Sequence, residues 1–414
     1  CICSGVVWAA GFPAQVLAQV DPRESDPLER QQPVALEVRE PVSWVHVPGR
    51  WSQLELRIIN SREEPFVGLS TTSLDEQGTL QFGRRVRLPP RSRLLTRQPF
   101  LVPDVALSET EADGIQELDY QSLLLDEGAA GGELVRGKFG SLRIHETLWL
   151  ARPGPVIGIV EPPGTSYKRV DPDIILPADV VETSRLNHRK RHNLVHFEDG
   201  VPPGGEASLD GYDQLVIAAD SVLHDAEAVT AVRRWLFAGG QLWVMLDQVD
   251  AGILDALLGD EYTGQVVDRV GLTSVHIESG PQTMRVDEKR REFDDPVPFV
   301  RMLIDEEPVY TVNGWPAAYW RSYGEGRLLV TTLGPEAWIR RPLESEHIEE
   351  DLIWRSDYVV GPAIRRLTAP FYGPRPAPLL DPAVLETQAR EYIGYSIPSR
   401  GLVVGVLAGF AVLL

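Results

Sequence analysis

Leu209-Asp-Gly-Tyr-Asp-Gln-Leu-Val-Ile-Ala-Ala-Asp220 and, one helix length later, Trp235-Leu-Phe-Ala-Gly-Gly-Gln-Leu-Trp-Val-Met-Leu246 are the two lines that decide the fold. Within them, Gln214–Ala219 and Gln241–Leu246 are apolar on consecutive residues, without the alternation of a half-exposed strand. Strands of that kind are buried on both faces, as in a parallel sheet. Asp225 and Glu227 stand where a helix start favours anions, and Val229, Val232 and Leu236 recur at helical spacing. Gly239-Gly240 stops the helix as a C-terminal cap does. Strand, helix, Gly-Gly, strand is a βαβ unit and predicts two adjacent parallel strands.

Upstream, Val156-Ile-Gly-Ile-Val160 reads as another buried strand, Val180-Val181 as the start of one more, and Pro153-Gly-Pro155 as a boundary. Downstream, Gly324-Glu-Gly326 reads as a turn and Arg327–Leu333 as a strand, which completes an α/β parallel-sheet domain over 154–335. Residues 342–395 are rich in proline and predict a stalk or short docking segment. Before residue 150 the pattern has period two: Leu36 and Val38 alternate with Glu37 and Arg39, and Leu54, Leu56 and Ile58 with Glu55 and Arg57. Turn residues at Pro48-Gly49, Asn60-Ser61, Gln77-Gly78 and Pro89-Pro90 interrupt it about every ten residues, the signature of an antiparallel sandwich. An all-β immunoglobulin-like or fibronectin-like sandwich is expected over 33–150, clearest up to about residue 105, with Ser141–Leu150 as a late strand. Ser108–Glu117 fits either one helical turn or a loop, and Gly128–Gly132 fits a loop.

The Tyr212-Asp213 lead into a buried strand, followed by a helix ending in Gly239-Gly240, resembles the class I glutamine amidotransferase-like fold, which is flavodoxin-like. The resemblance covers 154–335 and implies that fold. It does not imply the activity, because active members carry a nucleophilic Cys on a strand-to-helix elbow and a later His-x-Glu. This chain has Asp247-Gln-Val-Asp250 after the corresponding strand, with no Cys and no recognisable elbow. The whole layout is also similar to single-pass bacterial envelope proteins without an assigned function, a likeness that implies location and architecture only.

That second likeness rests partly on the two ends. Residues 1–20 carry no charge, and Ala14 to Gln19 brings small residues at cleavage-type spacing before charges begin at Asp21. This predicts the apolar part of a clipped signal peptide; a buried first element, or a lipidated Cys1, would also suit the residues. Gly401–Leu414 has no polar side chain. With Tyr392, Tyr395, Ile397 and Pro398 leading in and Arg400 at the edge, residues 399–414 predict a truncated transmembrane helix, a C-terminal core helix being the alternative. The location implied is a cell membrane crossed once, with the body on the periplasmic side.

Composition narrows the chemistry. Of 414 residues, 40 are Lys or Arg and 60 are Asp or Glu, a net charge of −20 that disfavours nucleic acid. The two cysteines are Cys1 and Cys3, so the body offers no thiolate nucleophile and no thiolate metal site. Glu161, Asp220 and Asp247 each follow a predicted buried strand, where open α/β sheets bind ligands, and are the expected crevice rim. They would suit Mg²⁺ or Ca²⁺, or simply serve their own loops. His188, His192 and His196 recur every four residues, but Arg189-Lys-Arg191 between them would repel a metal. Ser221 and His224 lack a third partner and a surrounding nucleophile motif. No cofactor, metal or catalytic residue is therefore expected. A non-catalytic, membrane-anchored scaffold or sensor that binds an envelope protein or small ligand fits these features. An envelope hydrolase or metal-dependent enzyme using the strand-end carboxylates is the alternative.

Overall fold

A computed structural model describes residues 34–39, 46–74, 81–103, 117–127, 133–135, 144–150, 154–162, 174–190, 193–197, 209–259, 262–281, 285, 288–343, 346 and 356–373. The chain divides into two compact units, 1–152 and 153–414.

In the first unit, period-two sequence becomes strand wherever one face can be buried. Its strands are β1 (Val34–Arg39), β2 (Trp51–Asn60), β3 (Phe66–Ser73), β4 (Gln81–Leu88), β5 (Ser92–Leu101), β6 (Glu117–Asp126), β7 (Glu133–Val135) and β8 (Ile144–Trp149). They form two antiparallel sheets, β1-β2-β5 and β4-β3-β6, with β7 and β8 both pairing β6. Leu36, Leu54, Leu56 and Ile58 of one sheet and Phe66, Val86, Leu88 and Leu124 of the other fill a single core. The core also holds satisfied polar groups. Ser70 donates to Gln98 Oε1 at 3.0 Å and Gln98 Nε2 donates to the Phe82 carbonyl at 2.6 Å, which ties the two sheets together. Asn60 donates to the Glu64 and Pro89 carbonyls and accepts from the Arg62 amide, pinning two turns at once.

The second unit is built on an eight-stranded mixed sheet. In chain order its elements are β9 (Ile157–Val160), α1 (Pro177–Asn187), β10 (Leu194–His196), β11 (Gln214–Ile217), a 3₁₀ turn (Asp220–His224), α2 (Ala226–Phe237), β12 (Gln241–Met245), α3 (Gly252–Leu258), β13 (Gln265–Val275), β14 (Ile277–Ser279), β15 (Arg291–Leu303), β16 (Tyr310–Val312), β17 (Trp315–Tyr323), β18 (Gly326–Thr331), α4 (Pro335–Trp338), β19 (Ile339–Arg340), β20 (Val359–Val360) and α5 (Pro362–Thr368). The sheet order is β10-β9-β11-β12-β18-β17-β16-β14. The pairs from β10 to β18 are parallel, and those from β18 to β14 are antiparallel. Thus β11 and β12 are adjacent, parallel and buried along their length. Between them, Asp225 caps α2 by accepting from the Glu227 and Ala228 amides. Gly239 leaves the helix at φ +107°, and at Gly240 a Cβ would lie 2.4 Å from the Trp235 indole. One face of the sheet packs Ile157, Ile159, Val216, Trp243 and Leu329 against Val180 and Val181 of α1 and Ile364 and Leu367 of α5.

Several expectations are corrected here. The chain does not build a flavodoxin-like glutamine amidotransferase domain, and the second unit is not an all-parallel α/β sheet. Among its described residues more lie in strands than in helices. After β12 the βα alternation lapses into the seven-residue α3, and the chain then runs through the two-stranded ribbon β13–β15 and the antiparallel β14, β16 and β17 before β18. Asn313 (φ 54°) and Gly314 (φ 79°) make the two-residue turn that sends β17 back along β16, the backbone a tight hairpin requires. Val180-Val181 lies in α1 rather than in a strand. Part of the span expected as a stalk is core, since Tyr358, Ala363, Phe371 and Tyr372 are buried in the same cluster. No helix among the described residues is long and apolar enough to cross a membrane. The readings for 1–20 and 399–414 lie outside the described residues.

Candidate functional site

The parallel strands β9, β11, β12 and β18 all end toward the same edge of the sheet, and each is followed by a carboxylate: Glu161, Asp220, Asp247 and Glu336. The four meet different fates. Glu161 is buried, accepts the Ala178 amide in the first turn of α1 at 3.1 Å, and lies 3.0 Å from His196 Nδ1. Both its oxygens thus serve the fold. Asp220 opens the 3₁₀ turn and accepts the Asp250 amide at 2.7 Å, which joins two loops.

Asp247 differs. Its Oδ2 accepts from the side-chain Nε2 of the neighbouring Gln248, while Oδ1 is sealed from solvent and has no hydrogen-bond partner. The residue as a whole keeps partial exposure. Burial pushes its carboxyl up to about 7, because desolvation disfavours the charged form; the Gln248 hydrogen bond, one from its own backbone and Arg269 oppose the shift, and Glu336 adds to it. Glu336 stands in the single turn α4 beyond β18, the parallel neighbour of β12. Its Oε2 is likewise sealed and unpartnered, and burial raises its carboxyl above the usual range. Arg269 of β13 donates to the backbone carbonyls of Asp247 and Val249, so the ribbon is tied to this edge of the sheet. A Cβ on Gly334 would lie 2.8 Å from Glu336 Oε2 and about as close to Pro298 and Val297 of β15. The pair Asp247 and Glu336 is therefore the chemically unfinished part of this edge.

The three residues of the expected rim differ in their contacts. Glu161 and Asp220 are used by the fold, Asp247 is not, and Glu336 went unread. Its signal was present: Gly334-Pro335-Glu336 follows the Arg327–Leu333 strand and obeys the rule that selected the other three. The histidine series does not converge. His188 Nε2 lies 2.9 Å from the Arg365 carbonyl, His196 faces Glu161, and His192 lies outside the described residues. Among the described residues no group of three His, Cys, Asp or Glu is placed to hold a metal ion. Ser221 and His224 share the 3₁₀ turn.

No protein-family model matches the chain, and no curated protein matches its sequence. Solved structures with some likeness include the CARDB domain of a Pyrococcus furiosus protein in complex with di-metal ions: 12% identity, TM-score 0.22, 31% of this chain and 99% of that one. A cytoplasmic protein of Salmonella typhimurium LT2 shows 12% identity and a TM-score of 0.29 over 46% of this chain and 79% of that one. Escherichia coli alpha-2-macroglobulin, from domain MG7 to the C-terminus, shows 17% identity and a TM-score of 0.20 over 30% of this chain and 17% of that one.

Proposed function

We propose that the chain is a membrane-anchored, extracytoplasmic scaffold or sensor of a cell envelope, which works by binding rather than by catalysis. The observation that supports binding is the pair of sealed, unpartnered carboxyl oxygens, Asp247 Oδ1 and Glu336 Oε2, beyond adjacent parallel strands. An unsatisfied buried acceptor is costly, and such groups are commonly completed by a donor or a cation. A small cationic or hydrogen-bond-donating ligand at this edge is the reading. Membrane anchorage rests on the uncharged runs at 1–20 and 401–414.

The test has two arms. A full-length fusion in a bacterial host should sediment with membranes and be cut in its body by protease added to spheroplasts; a protected body rejects the location. In thermal melts, Mg²⁺, Ca²⁺ or a small amine should stabilise the wild type and not Asp247→Asn; equal shifts in both reject the site. One observation favours the alternative enzyme: a carboxyl near 7 can give and take protons at neutral pH. Ester or phosphoester hydrolysis lost in Asp247→Asn would move the assignment there.

A further inference from the structure

The second unit leaves one long strand edge open. The ends of its eight-stranded sheet, β10 and β14, are three residues each, and short end strands are one way native sheets blunt their edges. β13 is eleven residues long and, among the described residues, pairs only with β15. The body of the unit lies on the far side of β15. There the Val300 amide donates to the Thr332 carbonyl at 2.8 Å, and the Gly334 amide donates to the Pro298 carbonyl at 2.8 Å. Val300 and Pro298 therefore turn their backbone groups away from β13. Their cross-strand partners, Arg269 and Gly271, turn theirs away from β15, out of the free edge. Among the described residues nothing bonds to those outward amides and carbonyls.

This edge is symmetric about Val270. That residue is the midpoint of the strand Gln265–Val275. It is also the midpoint of the regular ladder from Asp268 to Leu272, which register shifts at Val267 and Thr273 bound on either side. Even-numbered residues from Val266 to Ser274 are half-buried, and odd-numbered ones from Gln265 to Thr273 are exposed. Val270 and Leu272 pack against the core of the unit without being closed off by it. Both charged heads of the edge are already held within the chain. Asp268 pairs with Arg301, and the Arg269 guanidinium donates to the Asp247 and Val249 carbonyls.

We propose that two copies of this chain pair through β13, antiparallel about a two-fold axis at Val270, so that the two ribbons join into one four-stranded sheet. A two-fold axis normal to the sheet keeps each side chain on its own face and makes every contact reciprocal. In this register Arg269 and Gly271 of one copy exchange backbone hydrogen bonds with Gly271 and Arg269 of the second copy. Val270 meets Val270 of the second copy, and the half-open apolar row on that face is covered by its own equivalent. No like charges are opposed, since Arg269 faces Gly271 and Asp268 faces Leu272. An axis at Asp268 or Arg269 would set that residue against its own copy, and any shift from Val270 shortens the overlap. A second copy is the occupant because the edge matches its own reverse in length, in bulge position and in charge. The pairing goes beyond the function above and depends neither on membrane anchorage nor on a ligand at Asp247.

The test uses the full chain in mild detergent, with Cys1 and Cys3 replaced by Ser. Val270→Cys should give a disulfide-linked dimer on mild oxidation. A residue on the axis in a non-hydrogen-bonded pair has its two Cα atoms about 4.5 Å apart, within disulfide reach. Gln265→Cys should not crosslink, because in this register its two copies stand roughly 30 Å apart. In sedimentation velocity the parent chain should dimerise. Val267→Lys/Thr273→Lys changes two exposed sites that oppose each other across the axis, and should dissociate roughly tenfold more readily. Val267→Lys/Thr273→Glu opposes unlike charges at the same sites and should keep the dimer. A parent chain that stays monomeric, no crosslink at 270, an equal crosslink at 265, or a double-lysine variant as dimeric as the parent overturns the proposal.

Discussion

His46 in the first unit and Asp247 in the second present one physical problem with opposite signs. His46 stands outside the named strands, bridged to Leu150. Its Nδ1 lies 2.6 Å from Ser52 Oγ, its ring packs 5.5 Å from that of Phe100, and its Nε2 is sealed without a partner. Burial lowers its pKa to about 4. Asp247 also has one oxygen satisfied by a neighbour and one sealed without a partner, and burial raises its pKa to about 7. In both cases desolvation favours the neutral form, which depresses a base and elevates an acid. The stability consequences are therefore opposed. The His46 contribution is present above about 6.5 and is lost as pH falls through 4. The Asp247 contribution is present below about 3.8 and is lost as pH rises through 7. Acid weakens the sandwich, and base weakens the mixed sheet.

The strongest way to break this comparison is to remove packing beneath one group only. Trp243 is fully buried on β12, the strand that ends two residues before Asp247, and its indole donates to Thr331 Oγ1 at 3.0 Å. Trp243→Ala should cost roughly 3–5 kcal/mol. Hydrogen exchange should accelerate in 241–245 and 214–217 while 54–58 keeps its protection. Equal loss in both units would show that the comparison is between parts of one cooperative body. Smaller is the effect of His46. Between pH 6.5 and 4 the sandwich should lose on the order of 3 kcal/mol at most, the linkage limit for a shift from 6.5 to about 4. His46→Gln should flatten that slope in pH-dependent denaturation, and an unaltered slope would assign acid sensitivity elsewhere. The smallest change concerns Asp247, whose partial exposure screens it. Asp247→Asn should stabilise the second unit at pH 8 more than at pH 5, and a gain independent of pH would show that the carboxyl does not titrate in this range.

What the sequence disclosed follows from how local each signal is. The adjacency of β11 and β12 was readable because Gln214–Ala219, the capped α2 and Gly239-Gly240 specify one another within about thirty residues. The sandwich was readable because alternation repeats strand after strand. The antiparallel half of the second sheet was lost although Asn313-Gly314 advertised a hairpin; no strong alternation flanks that turn, since Pro316, Ala317, Ala318 and Tyr319 are all buried. α1 escaped because Val180 and Val181, a β-branched pair, occupy a helix whose start is set by Pro177 and by Asp179, which accepts the Leu176 amide. At the candidate site, residue type and position after a strand located all four carboxylates in principle. Their fates depended on partners far along the chain, such as Ala178 for Glu161 and Asp250 for Asp220, which no local pattern discloses.

One feature of the second unit bears on mechanics. Beyond α5 the chain buries Phe371 and Tyr372, the Tyr372 hydroxyl donates to the Val181 carbonyl, and the side chains of Gln214 and Gln241 both donate to the Gly373 carbonyl. Those glutamines open β11 and β12, and Val181 belongs to α1. A pull on the chain following Gly373 is therefore delivered to two central strands and a helix at once, through hydrogen bonds that share the load, instead of peeling off a terminal element. Whatever the chain beyond Gly373 is fastened to, the molecule is gripped at its core and not by its edge.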